Sequence, residues 1–210
     1  MNKNPITLDE LRLSVKGRLS IFRWSHTEGV ERMAARISKI LAPDKEYELR
    51  AAALLHDITK EKKIDEQIDI CERYGYKLRE DEMGSPAILH AITASLIIPD
   101  EYAEFATDGI ISAVRWHTTA RENMTLGEKI IYLADYIEDT RKYDECIALR
   151  HAFFDACPEK MAEEDALRHL DKVILRSLEM TVEDIRAKGG TICAETFAAK
   201  EYFENNLKTV

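Results

Sequence analysis

His56 and Asp57 stand side by side at the end of the alanine- and leucine-rich run Ala51 to Leu55. A neutral imidazole nitrogen beside an anionic oxygen suits a divalent ion such as zinc, iron or manganese. Alone, the dipeptide reads more readily as the satisfied polar end of a helix than as a metal site. The same side-chain chemistry recurs at His26, His90, His117 and Asp135. Asp135 lies within an apolar segment, and a buried carboxylate is costly unless a cation or several donors meet it. Packed helices can bring such scattered positions to one cavity, as metal-binding bundles do.

The elements that must position these residues are helical. Thr7 and Glu10 form a capping box that predicts a helix to about Leu19, with Leu8, Leu11 and Val15 on one stripe. Ser25 is expected to cap a second helix, in which His26, Val30, Met33, Ile37 and Leu41 share a face, so that His26 points inward. Pro43 ends it, and a helix from Asp44 carries Leu49, Ala52, Ala53 and Leu55 into the His-Asp pair. A charged helix from Glu61 to Tyr74 and a polar loop from Gly75 to Gly84 follow. Ser85-Pro86 starts a helix that turns His90, Ala94 and Ile97 to one side and closes at Pro99. Phe105 to Trp116 presents Ile110, Val114 and His117 in the same way. Thr125 and Glu128 form another capping box, opening a helix with the apolar body Leu126, Ile130, Leu133 and Ile137. The pattern from Met161 to Lys188, closed by Gly189-Gly190, and a last helix from about Ala194 to Asn206 read as packing material. No useful strand-like alternation occurs, so the expectation is an all-α protein.

With 210 residues and 45% hydrophobic content the chain can bury a core, and a single domain is expected. No signal-like or membrane-spanning apolar run is found, which predicts a cytoplasmic protein without membrane attachment. Cys71, Cys146, Cys157 and Cys193 are far apart and read as reduced thiols. A net charge of −9 opposes long-range attraction to nucleic acid or anionic lipid. A phosphorylated ligand would need locally concentrated cations, and Arg23, Lys60, Arg121 and Arg141 lie beside the candidate ligands.

The order histidine, His-Asp, distant aspartate resembles the HD-domain superfamily of metal-dependent phosphohydrolases. Longer blocks extend the likeness: Arg23-Trp-Ser-His26-Thr-Glu-Gly29-Val30, Ala53-Leu-Leu-His56-Asp57-Ile-Thr-Lys60, His117-Thr118-Thr119, and Tyr132-Leu-Ala-Asp135-Tyr136-Ile-Glu138-Asp-Thr-Arg141. These look like the bacterial YqeK-type HD proteins. The resemblance spans roughly Arg18 to Arg150, and the C-terminal helices follow it more loosely. Two positions depart from the pattern: Ala120 stands in place of glycine and Asp139 in place of proline.

The resemblance implies an HD-domain helical bundle over residues 1–210, with the motifs in a core of about 18–150. It implies symmetrical cleavage of diadenosine tetraphosphate into two ADP at an iron-containing centre. His26, His56, Asp57 and Asp135 become the metal ligands, a set that manganese or zinc would also fit. Arg23, Lys60, Arg121 and Arg141 are expected to hold phosphates, with Thr118 and Tyr136 offering hydroxyls. His90 and His117 are expected to touch phosphate, share a second metal or protonate the leaving ADP, with Asp57 serving the reaction as well as the ion. His151 and His169 match no motif. Two other readings stay open: an HD phosphohydrolase of nucleoside mono- or triphosphates, and a non-catalytic nucleotide-binding regulator. A homodimer is compatible with each.

Overall fold

A computed structural model describes residues 7–208, and among these there are helices and turns but no strand. The helices are α1 (Leu8–Arg18), α2 (Ile21–Leu41), α3 (Glu46–Leu55), α4 (Ile64–Arg73), α5 (Glu80–Met83), α6 (Leu89–Glu101), α7 (Asp108–Trp116), α8 (Leu126–Ile137), α9 (Asp144–Phe154), α10 (Glu163–Ala187) and α11 (Ala194–Lys208). No helix among them is long and apolar enough to cross a membrane.

Local chemistry accounts for most boundaries. Thr7 and Glu10 close the expected capping box on α1, and Thr125 and Glu128 do the same on α8. Pro43 and Pro86 each open a 3-10 turn that leads into α3 and α6. The second helix departs from the sequence expectation. Its cap is Ser20, whose hydroxyl accepts from the Arg23 amide at 3.2 Å, and Ser25 lies inside α2. Glu61 holds the Ser20 amide at 2.8 Å, so a distant carboxylate helps select the earlier serine. Pro99 sits within the last turn of α6, which runs on to Glu101.

The core lies where α3 packs against α2, α7, α8 and α1. Ala51, Ala52 and Ala53 are fully buried, and their small side chains let the α2 and α3 backbones approach closely. Val30, Met33 and Ile37 from α2 meet Leu54 and Leu55 from α3 and Ile130 and Leu133 from α8 in one apolar cluster. Burying each such branched side chain contributes about 1.5–3 kcal/mol. This rigid seam carries the inward histidines, because each candidate ligand sits on or just beyond a helix that contributes to it. Helix α10 packs on α8, α9 and α11 and closes the remaining side. All four cysteines are free thiols.

Candidate metal centre and active site

His56 and His117 occupy equivalent places, each as the residue that caps the C-terminus of its helix. His56 Nδ1 donates to the Ala53 carbonyl at 2.6 Å, and His117 Nδ1 donates to the Val114 carbonyl at 2.7 Å. Each ring thereby satisfies an otherwise orphaned helix carbonyl. The same bond fixes the tautomer, leaving a Nε2 lone pair aimed into the space between the helices. His26, from the second turn of α2, reaches that space from the other side, with its Nδ1 3.2 Å from Glu138 Oε1.

Four of the predicted ligands converge. His26 Nε2 lies 3.0 Å from Asp135 Oδ1 and 3.6 Å from Asp57 Oδ2. His56 Nε2 lies 3.3 Å from Asp57 Oδ2, 3.9 Å from Asp135 Oδ1 and 3.4 Å from His26 Nε2. The other oxygen of Asp57 faces the second pair of rings, 3.2 Å from His90 Nε2 and 3.9 Å from His117 Nε2. Ligand atoms of His26, His56 and Asp57 lie within 4.8 Å of one another, as do those of Asp57, His90 and His117. Asp135 is one-fifth exposed, lining a cavity wall rather than being sealed in the helix body as expected.

The donor set fits a divalent cation. With both Nδ1 atoms committed as donors, the Nε2 atoms of His26 and His56 and the carboxylate oxygens of Asp57 and Asp135 present only lone pairs to a common centre. Such a group repels itself unless a cation or proton occupies it. The electrostatics of the protein alone show the same demand. Burial would depress His26, yet its hydrogen bonds to Asp135 and Glu138 outweigh that and raise its pKa to about 9. Burial likewise opposes ionisation of Asp57 and Asp135, but His56 and its neighbours hold Asp57, and Arg141 and His26 hold Asp135, well below the usual carboxylate range. The second pair behaves oppositely. Burial lowers His90 strongly and His117 to about 4, outweighing the opposing pull of the Asp57 carboxylate. These two neutral rings meet Nε2 to Nε2 at 3.0 Å. His117 already donates through Nδ1, so the proton between them belongs to His90.

Cations surround the carboxylates. Arg23 Nη1 is 2.7 Å from Asp57 Oδ2, and Arg141 Nη2 is 2.8 Å from Asp135 Oδ1. Arg23 Nε is buried without a hydrogen-bond partner. Lys60 Nζ lies 3.2 Å from His90 Nδ1, and burial lowers its pKa. Thr118 Oγ1 is 3.2 Å from His90 Nε2. These groups open on a cavity of about 940 Å³ lined also by Tyr136, Tyr143, Arg176, Met180 and Thr181. Arg121 is placed differently from the other three predicted cations. Its guanidinium pairs with the buried Glu128 carboxylate at 3.0 Å and with the Glu122 carbonyl, and it is not among the residues lining the cavity. His151 pairs with Asp155 on the surface, and His169 stacks on Phe153, so neither joins the site.

Two contributions escaped the sequence reading. Glu138, quoted within a motif but given no role, is fully buried against His26. Helix α10, read as packing, supplies Arg176, Met180, Thr181, Asp184 and Lys188 to the cavity wall. Arg176, Met180 and Asp184 recur every four residues, with Thr181 beside Met180 and Lys188 just past the helix end, and mark a second face of α10 offset from the buried Leu170, Ile174 and Leu178. The two departures from the motif pattern also find a physical setting. Ala120 has φ 57°, the left-handed region that glycine enters without cost. Glu138 has ψ 156°, the extended conformation that a following proline imposes and that Asp139 leaves to other restraints.

An all-helical bundle whose helices bring two His-Asp groups to a cation-lined cavity has the donor set of a metal-binding hydrolase. A family model described as the HD domain matches residues 23–140, and the chain belongs to that family. It is 29% identical over 191 residues to the symmetrical bis(5'-nucleosyl)-tetraphosphatase of Bacillus subtilis (strain 168), covering 90% of this chain and 93% of that one. The Staphylococcus aureus (strain NCTC 8325 / PS 47) protein of the same name is 25% identical, with 94% and 95% covered. A crystal structure from Clostridium acetobutylicum, described as a predicted HD superfamily hydrolase involved in NAD metabolism, superposes with a TM-score of 0.82 at 29% identity, over 97% of this chain and all of that one. The chain is therefore an HD-domain hydrolase.

Proposed function

We propose that this hydrolase cleaves dinucleoside tetraphosphates symmetrically, taking diadenosine tetraphosphate and water to two ADP. The observation that carries the reading is the convergence of His26 and His56 on Asp57 and Asp135, two carboxylates that line one cavity with Arg23, Lys60 and Arg141. Relatives of that name over nearly the whole chain support it.

A divalent ion, iron by preference, held by those four side chains would supply an acidified water and a polarised phosphoryl oxygen. The chain's own groups do the rest. Arg23 and Arg141 hold the carboxylates in place and line the cavity where phosphate oxygens would sit. The new bond joins the water oxygen to an inner phosphorus, and the middle phosphoanhydride breaks. His90 is placed to pass its Nε2 proton to the departing ADP oxygen while its Nδ1 takes one from Lys60 Nζ, 3.2 Å away, so the ring stays neutral, and His117 orients it. Lys60 sets a positive charge against the His90 ring, which favours an anionic ligand there over a second cation. We therefore take one ion per chain as the working state. The α10 wall would give an extended dinucleotide contacts beyond the reacting phosphates, so the described residues 7–208 act as one unit.

Product identity tests this directly. Incubation of the iron-loaded protein with diadenosine tetraphosphate yields ADP alone. Equal amounts of AMP and ATP would reject symmetrical cleavage. A nucleoside mono- or triphosphate hydrolysed much faster at equal concentration would move the specificity elsewhere, and binding of ADP without turnover of any phosphoanhydride would mark a regulator.

A further inference from the structure

We infer that Glu138 is a positioning residue for His26, fixing which ring nitrogen of that ligand faces the metal, and that Gly29 exists to admit it. The inference rests on the proposed ligand role of His26. Glu138 follows the last residue of α8, three residues after Asp135, where an acidic side chain would ordinarily point to water. Instead it is fully buried. Its Oε1 lies 3.2 Å from His26 Nδ1 and accepts from the Thr140 hydroxyl at 2.6 Å, while Oε2 accepts from the Thr140 amide at 2.6 Å. Arg150 donates to the Glu138 carbonyl and, at 3.3 Å, to that of Arg141, so the segment is tied down from behind.

Space for the carboxylate is made on α2. A Cβ built on Gly29 would lie 2.3 Å from Glu138 Oε2 and 3.1 Å from its Cδ. Gly29 is helical and one turn beyond His26 on the same helix, so its missing side chain opens the notch beside the ring. The glycine and the glutamate, more than 100 positions apart, form one socket.

Every group facing Glu138 is a donor, and this makes the requirement specific to a carboxylate. A glutamine of the same shape must turn its NH2 either to the Thr140 amide or to His26 Nδ1. The first choice sets donor against donor on the loop. The second drives the His26 proton from Nδ1 to Nε2, where it blocks the lone pair meant for the ion. Partners of this kind are worth about 10–100-fold in metal affinity.

The test compares metal affinity, by competition with a chromophoric chelator, in the full chain carrying Glu138→Gln, Glu138→Ala, Gly29→Ala or His26→Ala, each at a temperature where circular dichroism shows it folded. His26→Ala checks the reading beneath the inference: unchanged affinity there would remove His26 from the ligand set. Given a loss in that control, Glu138→Gln is expected to weaken iron or manganese binding about tenfold or more, with Gly29→Ala showing a loss in the same direction. Affinity within threefold of the parent in Glu138→Gln, alongside a clear loss in His26→Ala, overturns the inference and leaves Glu138 a structural loop anchor. Should Glu138→Ala fail to fold, the glutamine variant alone decides.

Discussion

Replacing Asp57 by alanine removes a side chain that faces both pairs of histidines, Oδ2 toward His26 and His56 and Oδ1 toward His90 and His117. The expected outcome is loss of bound metal and of activity together. His117→Ala leaves His26, His56, Asp57 and Asp135 in place, so metal is retained while the rate falls by about 10²–10⁴, the range of a lost acid–base contribution. Metal analysis of both purified variants checks this. Full occupancy in Asp57→Ala would take that residue out of the ligand set, and an empty His117→Ala would make His117 a ligand. At this scale the sequence was informative where side-chain type and helical phase agreed. His26, His56, His90 and His117 could all be aimed inward from their apolar neighbours. Glu138 could not, because a glutamate just past a helix end has the chemistry of a surface residue, and its burial depends on a glycine on another helix.

Helix α8 carries Asp135 into the cavity, and its N-terminal capping box sets where it begins. Thr125→Ala removes the hydroxyl that accepts from the Glu128 amide at 3.3 Å and should cost about 1 kcal/mol, or about 2–4 °C in Tm for a chain of this size. Glu128→Ala should cost more, about 3 kcal/mol. That carboxylate is buried and holds the Thr125 amide, Ser112 and Arg121 at once, so its loss strands several donors. Thermal melts of the two variants rank them, and an equal shift would reduce Glu128 to an ordinary cap residue. Both boxes were legible because all the partners lie within one turn. The cap of α2 was not: Ser20 and Ser25 are both chemically suitable, and the choice involves Glu61, which the fold brings in from beyond α3. Helix α10 shows the same limit. Its buried face was readable as a period, whereas its second face gains meaning only from the cavity that α8 and α9 complete. Met180→Arg on that face is expected to raise KM for a dinucleoside tetraphosphate about tenfold with kcat held, the signature of a contact made equally in ground and transition states. A fall in kcat of the same size would bring Met180 into the chemistry.

For the whole molecule, the question is how far the metal supports the fold. The apolar seam of α2, α3 and α8 is built from residues that owe nothing to an ion, with Val30, Leu54 and Ile130 fully buried. Arg23 and Arg141 still neutralise Asp57 and Asp135 without one, and a proton on His26 meets part of the remaining demand. Chelation should therefore lower stability without unfolding the protein. An ion present at 100 times its Kd contributes about 2.7 kcal/mol, so stripping it should lower Tm by about 5–11 °C. Readdition of the ion should restore the melt, and the shift should grow with the logarithm of free metal. The all-helical architecture follows from periodicity and caps, which exist without the ion, and the melt separates that contribution from the site's. A chain that loses its helical signal on chelation at room temperature would show instead that the centre holds the bundle together, as in a small metal-stapled domain.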